Sequence, residues 1–152
     1  MNTPQKRRSK IIIIWRDSAA AGDDINSPHE KRIKIDSGET VDSVLEKIFT
    51  THYLPSISGG KATWIVFGKS PLAVVAQQWS KPHFLVDPTI PIENLIELKD
   101  NHHLELMYWC QVEPQKVIAS IEQGQPLPDK YGRDEKSKMS LLARIINLFT
   151  LS

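Results

Sequence analysis

GETVDSVLEKI, residues 38–48, is the stretch of sequence that decides the fold. Thr40 can cap a helix with its hydroxyl, and Asp42 follows in the first turn, where the positive end of the helix dipole favours a carboxylate. The residues that then share one side of this helix at 3.6-residue spacing are Val41, Val44, Leu45, Ile48, Phe49 and His52. The helix must end before Pro55. The pattern predicts one amphipathic helix over residues 40–52.

Strand-like segments precede and follow this helix. Residues 11–15 (IIIIW) are β-branched and aromatic, which is typical of a strand buried on both faces. Residues 30–36 (EKRIKID) alternate polar and apolar, which indicates a strand with one wet face, so the two form a hairpin with a long connection. The later segments predict strands over 63–67, 72–76 and 103–112, one helical turn within 92–98, and no regular central element in the proline-rich stretch 79–91.

The chain divides into three parts by composition. Residues 1–9 are polar and basic and predict a flexible tail, and residues 10–112 predict one folded domain. Residues 113–152 predict a linker and a C-terminal helical extension. The apolar residues at helical spacing in this last part are Val117, Ile118 and Ile121, and then Leu141, Leu142, Ile145, Ile146 and Phe149 within 137–151.

Charge and cysteine content exclude several classes of protein. The 152 residues carry 19 Lys and Arg against 18 Asp and Glu, a net charge of +1, which disfavours a DNA-binding or polybasic membrane-binding protein. The single cysteine, Cys110, excludes an internal disulfide and a Cys-based zinc site. No run of apolar residues is long enough to span a membrane. These features favour a cytoplasmic protein.

The order strand, strand, helix, strand, strand within residues 10–112 is the β-grasp layout, and the residues themselves resemble ubiquitin. Residues 38–48 resemble the start of the ubiquitin helix, and residues 65–69 (IVFGK) resemble the strand and Gly-Lys turn that follow it. Residues 89–108 are similar to the late turn and closing strand. The resemblance covers about two thirds of the chain and implies an α+β fold, a mixed sheet packed on one helix.

The sequence departs from the ubiquitin pattern at the C-terminal end of the domain. Ubiquitin-type modifiers end in an exposed tail with a terminal Gly-Gly, whereas here the last strand leads into residues 111–114 (QVEP) and the chain continues to residue 152. The only Gly-Gly pair, Gly59-Gly60, is internal. The resemblance therefore implies a non-conjugating, ubiquitin-like domain.

Motifs for phosphate or metal binding are incomplete. Gly68-Lys69-Ser70 lacks the preceding glycine of a phosphate loop, since position 63 is Thr, and Pro71 prevents the helix that must follow. The five histidines lie in different predicted elements, and the adjacent His102 and His103 point to opposite faces of a strand. We expect neither a metal site nor a cofactor.

Candidate catalytic groups also lack partners. Cys110 falls on the apolar face of the last predicted strand, which favours a buried structural thiol. Asp23 and Asp24 lie in the long hairpin connection with nothing to orient them, and hydrolytic chemistry needs two carboxylates at a fixed separation. We expect no catalytic residue and therefore no enzyme activity.

The far face of the sheet is the predicted binding surface. If Leu104, Leu106 and Tyr108 point inward, the residues between them point outward, and Ile65 and Met107 fall where the ubiquitin family has its aliphatic partner-binding patch. The predicted partner-binding residues are Ile65, Phe67, Lys69, Glu105, Met107 and Trp109. Two alternatives remain open: the C-terminal helix of the chain covers this face, or a one-residue slip in register inverts the assignment.

The function expected from these features is non-catalytic protein–protein interaction, as an adaptor or regulatory module with a protein partner. An alternative is a dedicated inhibitor of one enzyme, of the immunity or antitoxin type, which needs a strongly charged complementary patch. A third hypothesis is an enzyme that uses the acidic loop 17–24. The helix over 137–151 could pack on the domain, on a second copy in a homodimer, on a partner protein or on a membrane surface.

Overall fold

The computed structural model describes residues 7–19, 29–97 and 102–131. Its strands are β1 (Ser9–Arg16), β2 (Glu30–Asp36), β3 (Thr63–Phe67), β4 (Pro71–Ala76), β5 (His83–Phe84) and β6 (Leu104–Tyr108). Its helices are α1 (Val41–Thr50), α2 (Pro114–Glu122) and a short 3-10 helix, Ile92–Asn94. The fold class is α+β, as predicted.

The described strands form one mixed sheet of six strands in the order β2-β1-β6-β3-β4-β5. β1 and β2 form the predicted antiparallel hairpin, and β1 pairs with β6 in parallel. All the other neighbouring pairs are antiparallel. The last strand is therefore inserted at the centre of the sheet, between the hairpin and β3, and β2 lies at one edge.

Helix α1 packs on one face of this sheet, which we call the inner face. Thr40 caps it as predicted, because its Oγ1 accepts a hydrogen bond from the Ser43 amide at 3.3 Å. The helix ends at Thr50, two residues earlier than predicted, and His52 has a left-handed backbone (φ 52°) that no helix can contain. The helix residues with no exposed surface are Val41, Val44, Leu45 and Ile48.

The core lies between α1 and the inner face. Alternate residues of β1, β2, β3 and β6 supply its sheet side, namely Ile12, Ile14, Ile33, Ile35, Trp64, Val66, Leu104 and Leu106. The inward positions predicted for β6 are confirmed. The prediction that β1 is buried on both faces is wrong, because Ile11 is 55% exposed on the other face. In a run of four isoleucines, the sequence does not show which residues the sheet turns inward and which it turns outward.

The chain turns sharply after β6. This strand ends at Tyr108 rather than at residue 112, although the Trp109 amide still donates to Thr63 O at 2.8 Å. Cys110 has a left-handed backbone (φ 55°) and is half-buried at the margin of the core, so it does not occupy the strand position predicted for it. Pro114 then begins α2, which confirms the short helix expected around Val117.

Several sequence predictions fall outside the described residues. They concern the basic residues before Arg7, the acidic residues Asp23 and Asp24, and the helix over 137–151. Within the described ranges, no helix is long and apolar enough to cross a membrane.

Candidate functional site

The outer face of the sheet, opposite α1, is divided into two halves. One half comprises the outward side chains of β3, β4 and the end of β6, and helix α2 packs on it. Ile65 and Val74 of the sheet form a second hydrophobic cluster with Val117 and Ile118 of α2. Ile65 is 2% exposed in this cluster. We call this the covered half.

The chain after α2 completes the cover over the end of β6. Trp109, 4% exposed, donates its indole N–H to Pro128 O at 2.8 Å. The Lys130 Nζ lies 5.2 Å from the centre of the Trp109 ring and 5.1 Å from that of Tyr131, and it donates to Tyr108 O at 3.3 Å. The cover therefore extends from α2 to Tyr131.

The predicted binding patch does not have the exposure that it requires. Ile65, Phe67 and Trp109 are all buried, and Met107 is half-buried beneath the same cover. The outward orientation predicted for Ile65, Met107 and Trp109 is confirmed, but residues 114–131 pack against these side chains. The second of the two alternatives, a register slip, is excluded because Ile65 pairs with Met107 and both pack in the outer-face cluster.

The two charged residues of the predicted patch lie apart from its buried members. Lys69 lies in the turn after β3, where its Nζ is 3.4 Å from Glu97 Oε1 and 3.4 Å from Asn94 O. Glu105 is half-buried on the outer face, where it pairs with Phe67 on one side and with Trp15 on the other. Glu105 thus marks the border between the covered half and the rest of the face.

The other half of the outer face belongs to the hairpin. Its outward residues are Ile11, Ile13 and Trp15 on β1 and Glu30, Arg32 and Lys34 on β2. Ile11 lies opposite Lys34, Ile13 opposite Arg32 and Trp15 opposite Glu30. Ile11 is 55% exposed, and the other two apolar residues are half-buried. We call this the open half: an apolar stripe beside a charged one.

Histidines gather at the β1 end of the open half. The Trp15 ring stacks on His102 at 4.9 Å between centroids and lies 5.5 Å from His29. The Ile13 amide donates to His103 Nδ1 at 2.7 Å. His29 is far from His102 and His103 in the sequence, and the pairing of β1 with β2 on one side and with β6 on the other brings them together. In the described ranges, no three metal-ligating side chains lie close enough to hold an ion.

The edge strand β2 bounds the open half. The Arg16 amide donates to His29 O and the Ser37 amide to Arg8 O, so odd-numbered β2 residues turn their backbone groups toward β1. Even-numbered residues turn theirs to the edge. Side chains from the α1 region meet two of these groups: the Lys47 Nζ donates to Lys34 O at 3.3 Å, and the Asp36 amide donates to Glu39 Oε2 at 2.8 Å.

The edge carries mostly basic side chains. Lys47 is paired with Glu39, and Lys10 with Glu93 at 2.9 Å. Arg32 is 3.4 Å from Glu30 with both side chains well exposed, a geometry that contributes little energy. Among the described residues, no carboxylate lies within ion-pair distance of Lys34. Cationic charge therefore remains available to a partner along β2.

Buried polar groups elsewhere in the molecule are tied to the main chain. Arg16, 1% exposed, donates to Asp17 O at 3.1 Å and lies over the Tyr53 ring. The Tyr53 hydroxyl donates to Ile14 O at 3.4 Å and to His29 O, and its burial raises the pKa of Tyr53 well above the usual value. The Tyr108 amide donates to Asp17 Oδ2 at 2.9 Å. These bonds fasten the end of β1 to its neighbours.

A shallow groove of about 480 Å³ lies between α2 and the segment that leads into β5. Trp79, Pro82, Ile118 and Ala119 line it, and His83 and Glu122 approach to 3.4 Å across it. It is separate from the hairpin surface.

Comparison with known proteins assigns the chain to no family. No protein-family model matches it, and no curated protein was found to be similar. Among solved structures, it is similar to the crystal structure of the coiled-coil, RA and PH domains of lamellipodin, at 14% sequence identity and a TM-score of 0.35. That alignment covers 91% of this chain and 46% of the lamellipodin chain. The chain thus spans less than half of the lamellipodin chain in that structure, and a likeness this loose assigns neither fold nor function.

Proposed function

We propose that this chain is a non-catalytic, β-grasp protein-interaction module that binds a partner protein through the open half. The β-grasp assignment is supported by the sheet order, the single capped helix directly after the hairpin, and the parallel pairing of the first and last strands. The binding assignment is supported by one observation above all. Ile11 is 55% exposed in a strand whose inward residues Ile12 and Ile14 are fully buried.

The chemistry of the open half fits recognition of a protein with acidic residues around an apolar anchor. Ile11, Ile13 and Trp15 offer aliphatic and aromatic surface in a row, and such residues supply most of the energy of an interface. Arg32 and Lys34 lie beside them and would attract carboxylates and speed association. A few anchors of about 2 kcal/mol each suffice for micromolar affinity.

Affinity capture with matched variants tests this function. The tagged full chain is compared with an Ile11→Asp, Arg32→Glu double variant, which changes the open half alone. The control is an Asp42→Lys, Glu46→Lys double variant, which alters charge on the exposed side of α1. Unfolding curves establish that all three proteins are folded.

We expect proteins that bind the parent chain to be retained by the control and depleted at least about tenfold by the open-half variant, a loss of 1.4 kcal/mol or more. Bound proteins that return in equal amounts with all three chains would overturn the proposal. A specific partner lost only with the control would move the binding site to α1.

A further inference from the structure

The apolar stripe of the open half is short and well defined. Ile11, Ile13 and Trp15 are consecutive outward positions of β1, so the stripe is about 13 Å long at 3.3 Å per residue. The corresponding apolar residues of the covered half, such as Ile65, are buried by the chain that follows β6. The question is what meets the stripe in the folded protein.

The described chain after β6 crosses the outer face toward this stripe. Helix α2 packs on β4, the segment around Pro128 packs on Trp109 at the end of β6, and the Lys130 Nζ reaches Tyr108 O. Burial, the Cys110 thiol and the Asp17 carboxylate together raise the pKa of Tyr131, so its side chain lies near both of these groups. Since Asp17 directly follows β1, the described chain ends beside the open half.

The remaining sequence carries a matching apolar stripe. Leu141, Leu142, Ile145, Ile146 and Phe149 recur at helical spacing, and Arg144 is the only charged residue between 139 and 151. As a helix, residues 141–149 would be about 14 Å long, the length of the β1 stripe. The ten residues from 131 to 141 can span at most about 35 Å, more than the roughly 26 Å of β1.

We infer that residues 137–151 of this same chain dock as an amphipathic helix on the apolar stripe of the open half and shield it from solvent. The other nearby segment, 20–28, offers Ile25 as its only large apolar residue. The C-terminal segment offers eight within 137–151, five of them on one stripe, and it starts near the point where the cover ends. The target surface also offers Arg144 a carboxylate to pair with, because Glu105 lies beside Trp15 on the neighbouring strand.

This inference gives the proposed function its regulation, and that consequence rests on the proposed function. The segment and the partner would compete for Ile11, Ile13 and Trp15. The segment is part of the same chain, so its effective concentration does not change with dilution. A partner must therefore displace the segment. The partner's apparent affinity is its intrinsic affinity multiplied by the fraction of molecules in which the stripe is uncovered.

The test measures access to position 11 in the full chain. A Cys110→Ser, Ile11→Cys protein carries one thiol, placed on the stripe, and its rate of reaction with a maleimide reports exposure. A second version adds Ile145→Asp and Ile146→Asp, which places charge on the apolar stripe of the segment. The matched control adds Ser140→Asp and Asn147→Asp, the same charge on its polar side.

We expect the stripe variant to react about tenfold faster than the parent, as for a segment docked in about nine molecules of ten, and the control to react at the parent rate. Equal rates in all three proteins would overturn docking, as would equal acceleration by both variants. A parent rate that rises on dilution would assign the stripe to a second copy of the chain and also contradict the inference.

Hydrogen exchange provides a readout with β1 unaltered. The peptide that contains Ser9–Arg16 should exchange faster in the Ile145→Asp, Ile146→Asp protein than in its control, while Thr63–Phe67, under α2, is unchanged. Unchanged exchange over Ser9–Arg16 would contradict docking. Neither measurement needs a partner, so a failure here leaves the proposed function standing, and a failed capture experiment leaves docking standing.

Discussion

The two halves of the outer face carry similar outward side chains but differ in how far the chain buries them. Both present large apolar side chains on central strands, Ile65 on β3 and Ile11 on β1. Helix α2 leaves the first with 2% of its surface exposed, whereas the second keeps 55%. An outward apolar residue in a sheet is therefore no evidence of a binding site until the chain that covers the sheet is accounted for.

The difference arises from the connection after β6. Cys110 in a left-handed turn and Pro114 at the first turn of α2 reverse the chain within a few residues, so it packs on the strands nearest to it. The hairpin lies on the other side of β6 and stays beyond the reach of α2. The covered half has become a second core, and no helix of the described chain packs over the open half.

The largest expected effect contrasts one substitution on each half. Ile65→Asp should destabilise the protein by about 4 kcal/mol or more, because it buries a carboxylate with no partner and removes an isoleucine from a packed cluster. Ile11→Asp should cost at most about 1.5 kcal/mol, since no described residue buries its side chain and a docked segment would add only about 1.4 kcal/mol. Urea unfolding of both variants measures the difference, and equal losses would erase the distinction between the halves.

A substitution in α2 that weakens its packing on the sheet should reduce stability less than Ile65→Asp does. Ile118→Ala should lower the free energy of unfolding by about 2–3 kcal/mol, because this side chain is buried against the sheet. Lys116→Ala, on the exposed side of the same helix, serves as the control and should be within about 0.5 kcal/mol of the parent. If both variants unfold at the same urea concentration as the parent, α2 does not form a second core.

The edge of the open half depends on Glu39. Burial alone raises the pKa of this carboxyl, but hydrogen bonds from Lys47, the Asp36 amide and Ser43 outweigh it and leave the pKa below its usual value. Glu39→Gln should therefore cost about 1 kcal/mol at neutral pH.

The pH dependence of this cost follows from the lowered pKa. The carboxylate contributes its full stability above the usual pKa of glutamate and loses it as pH falls through the lowered value in the folded protein. Urea unfolding across that acidic range should show the gap between parent and Glu39→Gln closing. A gap that is constant with pH would show that the ionised form contributes nothing.

The smallest expected effect lies in the cover over the end of β6. Lys130→Gln removes a cation that lies over both the Trp109 and Tyr131 rings, and it should cost about 0.5–1 kcal/mol. Lys116→Gln is the matched control on an exposed position. A cost no greater than that of the control would mean that Trp109 is held by its indole hydrogen bond and by packing alone.

Sequence patterns predict the elements of this fold better than its surface. The capped helix, the hairpin and the inward positions of β6 follow from local spacing, which the sheet respects. The run of four isoleucines in β1 carries no alternation, so only its place in the sheet separates Ile11 from Ile12.

The candidate site depends on contacts that are distant in sequence. The spacing of Val117, Ile118 and Ile121 predicts α2 but not the strands on which it packs. Likewise, His102 reaches Trp15 only because β6 inserts beside β1. Local patterns therefore predict an apolar outer face without indicating which half is covered.

The most direct test of the central claim is a titration followed by NMR. The partner recovered by capture is added to the isotope-labelled full chain, and amide shifts are mapped along it. The account predicts the largest shifts in Ser9–Arg16 and Glu30–Asp36. The largest shifts in Pro114–Glu122, or around the groove lined by Trp79 and Pro82, would contradict it and place the binding surface on the covered side.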